Sequence, residues 1–346
     1  MTDDGRRGRV RPLGGRLRLF LVAMADPSAS PSPSRFIVAV DPQTPPPGLE
    51  GAVVAIGNFD GVHRGHVAVL KRAEAVAARL GRPCAVLTFE PHPADFFFKT
   101  DTIFRLTPQE TKAVALERIG IDGMIVLSFD AALATMPAED FVRDILVQRL
   151  QVGGVVAGYD FHFGKGRAGS PAFLTEAGAR YGFAVEIVPR IAADSSGSIV
   201  PASSTETRTA LEAGDVERAQ VLLGHPYFVI AEVVHGDKRG RDLGFPTANL
   251  RLHHSVRLRH GIYAVRVRID DTWHGGVASF GTRPMFDNGA PLLEVYIFDF
   301  SGDLYGKVLE VAFVHFLRDE MKFDSVEALV AQIGKDEAEA RQILKR

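Results

Sequence analysis

The sequence predicts two domains in series: an α/β domain built on a parallel sheet, then a small β-barrel carrying a C-terminal helix. Three observations support this. Between Val53 and about Pro189, short apolar runs alternate with stretches of helical length, the pattern of a sheet covered by helices on both faces. From Tyr227 onward, strand-like runs follow one another with turn residues between them and no helix-length period, which is how a small barrel reads. At 346 residues the chain is long enough for two cores. With 46% hydrophobic and 24% charged residues and a net charge of -2, the composition is that of a globular protein. It gives no bulk-charge reason to expect a nucleic-acid or membrane partner. The single cysteine, Cys84, excludes an intramolecular disulfide and suits a cytoplasmic enzyme.

Residues 1–48 are expected to lie outside the fold, as a disordered extension or as the product of a start placed upstream of Met24. The first 24 residues hold six arginines against two aspartates, and their only apolar stretch is Leu17 to Ala25. That is shorter than the about 20 residues needed to span a bilayer; a signal peptide is the other reading. Residues 26–34 and 42–49 are rich in Pro and Ser and read as loop. The two domains are expected over 49–214 and 215–346.

The first domain is organised around V-V-A-I-G-N-F-D-G-V-H-R-G-H at 53–66. Val53 to Ile56 is a buried strand by composition, and Gly57 and Gly61 mark the turn after it. Val69, Leu70, Ala73, Val76, Ala77 and Leu80 then carry a helical period that stops at Gly81. His63 and His66, three apart at the start of that helix, share one face. This places two imidazoles at a helix N-terminus and at the carboxyl end of a parallel strand, a site suited to phosphate. A zinc site is the competing reading of the pair, though no third ligand has a recognisable spacing.

Cys84 to Phe89 is the next strand, followed by Glu90-Pro91-His92-Pro93, an extended loop. Thr107-Pro108-Gln109-Glu110 is a capping box opening a helix that Gly120 closes. Met124 to Phe129 is strand, Phe141 to Leu150 helix, and Val155 to Ala157 strand again. The last of these leads into the glycine- and cation-rich loop 158–169, which includes Asp160. Ser203 to Glu206 is a further capping box, and Val216 to Leu223 is a short helix.

In the second domain, Tyr227 to Val234, Gly261 to Ile269, Trp273 to Phe280, Leu292 to Phe300 and Val308 to Val314 read as strands. Between the first two, residues 235–250 supply glycines for close backbone approach, several cations, and Thr247 and Asn249 as oxygen donors to magnesium and phosphate. Glu294 lies within an apolar strand, where a carboxylate needs a partner or a task; pairing with an arginine is the structural alternative. Asp324-Ser325-Val326-Glu327 caps the closing helix.

These motifs resemble, in order, those of the prokaryotic bifunctional riboflavin kinase/FAD synthetase family. Gly57, Asn58, Phe59, Asp60, Gly61, His63, Gly65 and His66 match G-N-F-D-G-x-H-x-G-H, the bacterial FAD synthetase version of the nucleotidylyltransferase H-x-G-H. T-F-E-P-H-P at 88–93, G-x-D-F-x-F-G-x-x-R-x-G at 158–169 and Ser203-Ser204-Thr205-Glu206-Thr207-Arg208 follow, with Thr207 where an aliphatic residue is usual. Gly236, Gly240, Arg241, Gly244, Pro246, Thr247 and Asn249 resemble the riboflavin kinase signature G-x-x-x-G-R-x-L-G-F-P-T-A-N. Ser279-Phe280-Gly281-Thr282-Arg283-Pro284-Met285-Phe286 stands for the usual N-I-G-T-R-P-T-F, and Leu317 to Phe323 resembles the C-terminal pattern.

The resemblance implies a Rossmann-like nucleotidylyltransferase domain followed by a riboflavin kinase-like barrel, using ATP with Mg2+ and producing FMN and then FAD. It implies that His63, His66 and Arg208 bear the charge of adenylyl transfer. Gly57, Asn58, Phe59, Asp60, Gly65, Asp160, Ser203, Ser204 and Thr205 would bind nucleotide in that domain. Gly236, Lys238, Gly240, Arg241, Gly244, Pro246, Arg318 and Phe323 would bind in the other, with Thr247 on magnesium, Asn249 on phosphate and Glu294 as the base. Partners would be riboflavin, FMN and ATP, with no nucleic acid and no membrane, and with a transient homo-oligomer left open. Two rivals stay open: another H-x-G-H adenylyltransferase with an appended barrel, and a protein that stores or senses flavin without chemistry.

Overall fold

The computed structural model describes residues 36–98, 103–189, 202–236, 244–282 and 291–345. The expected binding residues Lys238, Gly240 and Arg241, the motif positions Arg283 to Phe286 and the basic N-terminal stretch lie outside them. The described residues form two compact units. No helix among them is long and apolar enough to cross a membrane.

The first unit holds a six-stranded parallel sheet of β1 (Ile37–Val40), β2 (Val53–Ile56), β3 (Cys84–Glu90), β4 (Gly123–Ser128), β5 (Gly154–Gly158) and β6 (Ala184–Val188), in the order β1-β4-β3-β2-β5-β6. All four residues of β2 are buried, as expected of a strand covered on both faces. The helices of this part of the chain are α1 (Arg64–Leu80), α2 (Pro93–Phe98), α3 (Gln109–Ile119), α4 (Ala131–Thr135), α5 (Ala138–Asp140) with the π-helix Phe141–Arg149 that continues it, and α6 (Pro171–Tyr181). Val54, Ile56, Leu87, Ile125, Phe141, Leu146, Val155 and Leu174 make one core. Gly81 ends α1 in the left-handed conformation, its N–H bonded back to the Ala77 and Ala78 carbonyls.

Strand β1 corrects the expectation for residues 1–48. Ile37 to Val40 pairs in parallel with Gly123 to Val126, and Asp41 accepts the Ser128 backbone N–H at 2.9 Å. The apolar run Phe36 to Val40 stands between two Pro-rich stretches and ahead of the strand–helix alternation that begins at Val53, and its partner β4 lies more than eighty residues on.

The second unit comprises the segment Phe104–Thr111 and the chain from Ala202 on. Helices α7 (Ser204–Glu212) and α8 (Val216–Leu223) precede the strands β7 (Phe228–Val234), β8 (Thr247–Arg251), β9 (Gly261–Ile269), β10 (Thr272–Thr282), β11 (Pro291–Ile297) and β12 (Val308–Arg318). The strands close into an antiparallel barrel in the order β10-β11-β8-β7-β12-β9. Helix α9 (Val326–Leu344), capped by Ser325 as expected, lies on β9, β10 and β12. One core joins Phe104, Leu106, Leu211, Val216 and Leu223 to the barrel interior at Leu250, Tyr263, Leu293 and Phe313. That shared core puts α7 with the barrel rather than with the parallel sheet, so the units divide ahead of the expected boundary at 214.

Candidate active sites

In the parallel sheet the chain steps from β2 to β3 and β4 on one side and then crosses to β5 on the other. Connections leave β2 and β5 in opposite directions, which opens a crevice at the carboxyl ends of these two neighbours. The loops that rise there are 57–63 and 159–169, and both carry motifs.

The turn after β2 is conformationally demanding: Phe59, Gly61 and Val62 have φ of 48°, 86° and 44°. It delivers His63 as the N-cap of α1, where the ring Nδ1 accepts the His66 backbone N–H at 3.2 Å. An accepting Nδ1 carries no proton, so the neutral ring holds its proton on Nε2. The His63 and His66 rings stack with centroids 3.6 Å apart, and Phe59 meets His66 edge-on at 5.2 Å. The structure thus brings both histidines to the positive end of a helix of 17 residues. Phe59 and Asp60 are buried within the turn.

Asp160 is exposed on the second loop, its main-chain oxygen 2.9 Å from His162 Nδ1. Phe161, Phe163 and Phe173 pack in series under that loop. Ser203, Ser204, Thr205 and Arg208 belong to the second unit. Ser203 caps α7 by accepting the Glu206 N–H at 3.2 Å, and Arg208 Nε donates to the Phe104 carbonyl at 2.7 Å. Thr207 is fully buried, and its hydroxyl donates to the Ser203 carbonyl at 3.0 Å. The departure from an aliphatic residue therefore leaves no unpaired polar group.

On the barrel, register sets the candidate face. Asn249 on β8 stands opposite Glu294 on β11, which stands opposite Ser279 on β10. Thr247, two residues before Asn249, shares that face and is exposed. Asn249 is buried, and a Cβ on Gly236 would lie 2.3 Å from its Nδ2 and 2.7 Å from its Oδ1. Gly236 therefore makes room for the Asn249 carboxamide. Gly244 turns with φ of 82°, Pro246 is exposed, and Phe245 packs edge-on to Tyr296 at 5.2 Å.

The structure corrects the environment of Glu294. Strand β11 alternates strictly, with Leu293, Val295 and Ile297 inward and Leu292, Glu294 and Tyr296 half-buried on the outer face. Glu294 is not a carboxylate inside a core. It belongs to a polar row on the outer face, which α9 covers further along at Val277 and Tyr296.

Arg318 and Phe323 are brought together, the guanidinium 6.0 Å from the ring centroid. The Arg318 fork is held by Asp336 of α9, with Nε at 2.9 Å and Nη2 at 2.7 Å from its carboxylate oxygens, while Gln332 donates to the same carboxylate at 2.9 Å. Sequence reasoning missed Asp336. The available signal was an acid on the inward side of the closing helix. Among the described residues no group of three or more His, Cys, Asp or Glu is placed to hold a metal ion, so the zinc reading of His63 and His66 gains no third ligand there. Burial, with Glu74 and Asp122 nearby, pushes the Cys84 thiol up to about 12, the state of an inert core residue.

Comparison with known proteins matches this arrangement part by part. The family model described as FAD synthetase matches residues 46–203, and that described as riboflavin kinase matches residues 223–344. The bifunctional riboflavin kinase/FMN adenylyltransferase of Haemophilus influenzae is 42% identical over 289 residues, covering 83% of this chain and 92% of its own. That of Listeria monocytogenes is 42% identical over 295 residues, covering 84% and 91%. A solved structure described as a macrolide-efflux protein from Streptococcus pneumoniae is 33% identical, with a TM-score of 0.73, and covers 84% of this chain and 94% of its own.

Proposed function

The chain belongs to the bifunctional riboflavin kinase/FMN adenylyltransferase family, and from that premise we propose how its residues divide the two steps of FAD synthesis. The enzyme phosphorylates riboflavin with ATP to give FMN and ADP, then joins FMN to the adenylyl group of a second ATP with release of pyrophosphate. The observation that carries the division of labour is spatial. The H-x-G-H turn lies wholly in the first unit, at the switch point of its sheet, and the Thr247–Asn249–Glu294 face lies wholly in the second.

In the adenylyl step the FMN phosphate attacks the α-phosphorus of ATP and the bond to pyrophosphate breaks. No covalent enzyme intermediate is needed, because positioning and charge stabilisation supply most of the catalysis of phosphoryl transfer. His63, with its proton on Nε2, is a hydrogen-bond donor to a phosphate oxygen, and the stacked His66 extends the same surface. The α1 N-terminus adds its positive end. Asp160 and the main chain at Gly57, Asn58 and Gly65 line the crevice. The assignment of Arg208, with Ser203 to Thr205, to this step rests on the family motif.

In the kinase step Glu294 accepts the proton of the ribityl hydroxyl as that oxygen attacks the γ-phosphorus of ATP. Asn249, flanking Glu294 across the strands, is the phosphate contact, and Arg318, oriented by Asp336, sits with Phe323 as flavin contacts. Thr247 and Asn249 present hard oxygen donors, the kind Mg2+ takes alongside water and phosphate oxygens, and Thr247 would hold the ion. Bound there with ATP, it would neutralise charge on the transferred group. We place the enzyme in the cytoplasm, in keeping with its single buried thiol, and treat a transient homo-oligomer as a proposal for sedimentation analysis.

His66→Ala tests the division. It should abolish FAD formation while FMN still accumulates from riboflavin, both followed by chromatography. Loss of FMN formation as well would remove the assignment of His66 to adenylyl transfer alone.

A further inference from the structure

Lys112 is a charged residue of α3, and in the first unit it is 1% exposed. An ammonium so buried requires partners that repay its lost hydration. Its Nζ donates to Thr88 Oγ1 at 3.3 Å and lies 3.5 Å from Glu90 Oε1. Thr88, with no exposed surface, donates in turn to the main-chain carbonyl of Asn58 at 3.2 Å. An ammonium has protons and no lone pair, so it fixes the direction of this chain. The Thr88 oxygen receives from Lys112, and the Thr88 proton is committed to Asn58.

Asn58 is the residue from which the strained turn departs. Phe59 and Val62 both occupy the left-handed region, at φ of 48° and 44°, and for the β-branched Val62 that is a rare conformation. Such residues hold their geometry only where the surroundings over-determine it. His63, whose Nδ1 caps α1, follows directly. We propose that Lys112 is a positioning residue for adenylyl transfer, acting through Thr88 on the Asn58 carbonyl to hold the turn that aims His63 and His66. Through Glu90 the same ammonium also ties in the end of β3, so one buried cation connects two of the strand ends at that edge. The inference rests on the reading of residues 57–66 as the adenylyl-transfer site.

The test uses the full chain and four variants, assayed for FAD formation from supplied FMN and ATP and for FMN formation from riboflavin. Thr88→Val keeps shape and removes the hydroxyl, Thr88→Ser restores it, Lys112→Met removes the charge, and Lys112→Met/Thr88→Val does both. Displacement of a catalytic group by about 1 Å costs on the order of 10²-fold. Thr88→Val and Lys112→Met should therefore lower kcat for FAD formation by roughly 10- to 100-fold, with KM for ATP changed less than about threefold. Thr88→Ser should recover nearly wild-type kcat. The double variant should be no worse than the poorer single, because both changes break one chain. FMN formation should be unaffected in all four.

Wild-type kcat in Thr88→Val, strictly multiplying losses in the double variant, or a Thr88→Ser as poor as Thr88→Val would each overturn the inference. So would a loss in Thr88→Val that merely tracks the fraction of folded protein measured by circular dichroism. Should Lys112→Met not fold, the Thr88→Val and Thr88→Ser pair decides alone, since it leaves the Lys112–Glu90 pair intact. A wild-type enzyme that makes no FAD would sink the reading of the turn instead, a separate outcome.

Discussion

Replacing Gly236 with alanine is the sharpest single perturbation of the kinase face. Gly236 lies outside the left-handed region, so its backbone makes no demand for glycine and the cost is steric. The added methyl would sit 2.3 Å from Asn249 Nδ2 and 2.5 Å from its Cγ, against a comfortable separation of about 3.5 Å or more. Asn249 is buried and fixed in β8 between Val234 and Glu294, so its side chain must move by about 1 Å or swing off the site. A displacement of that size costs on the order of 10²-fold, about 2.7 kcal/mol of transition-state stabilisation, with a comparable ~1–3 kcal/mol of folding stability lost to overpacking.

The assay is FMN formation from riboflavin and Mg-ATP, with FAD formation from supplied FMN as the internal control. Two comparisons isolate the cause. Gly244→Ala, at φ of 82° with nothing within 4 Å of the new Cβ, should cost only about 1–2 kcal/mol of backbone strain. In an Asn249→Ala background, Gly236→Ala should cause little further loss, because the group it displaces is gone. Near-normal kinase activity in Gly236→Ala, or a full additional loss in the Asn249→Ala background, would refute the reasoning.

Three further outcomes are expected. Glu294→Gln, which keeps shape and removes the proton acceptor, should lower FMN formation by roughly 10² to 10⁴-fold with FAD formation spared; a lower Tm with normal turnover would make Glu294 structural. A chain starting at Ser34 should retain both activities, whereas one starting at Thr44 loses β1 and the Asp41 contact to Ser128 and should lose thermal stability; equal Tm values would dismiss β1 as a working part of the sheet. Cys84 should resist a disulfide reagent at pH 8 and react only on unfolding. Its folded pKa is raised from 9.0 to about 12, so the unfolded chain releases the proton first. The stability this thiol contributes is complete below about pH 9 and declines as pH rises toward 12, and urea titrations of Cys84→Ala should lack that decline.

What could be read in the sequence was whatever depends on local order. The run from strand to glycine turn to helix placed His63 and His66 on one face, and the structure adds the cap that orients the first ring. The barrel strands were legible from their spacing, except β8, whose five residues sit inside a glycine-rich signature that reads as loop. What stayed hidden depends on partners distant in sequence. Glu294 read as buried because Leu292 and Tyr296 are apolar on its own side. Tyr296 is apolar there because α9 covers that part of the barrel exterior, and no period within the strand can reveal that. Lys112 and Asp336 look like ordinary helix charges until the fold closes over them. The grouping of α7 with the barrel likewise depends on Phe104 and Leu106, about a hundred residues earlier in the chain.

The most direct measurement of the central claim is the fate of position-labelled phosphate when the purified enzyme is given riboflavin and Mg-ATP. Label in the γ-position should appear in FMN and then in FAD, as well as in the pyrophosphate of the second step. Label in the α-position should appear, among the flavins, in FAD alone, the rest staying in ADP, with unlabelled pyrophosphate released in an amount equal to the FAD formed. Label from the γ-position that reaches no flavin, or label from the α-position that reaches FMN, would contradict the sequence of phosphorylation followed by adenylylation.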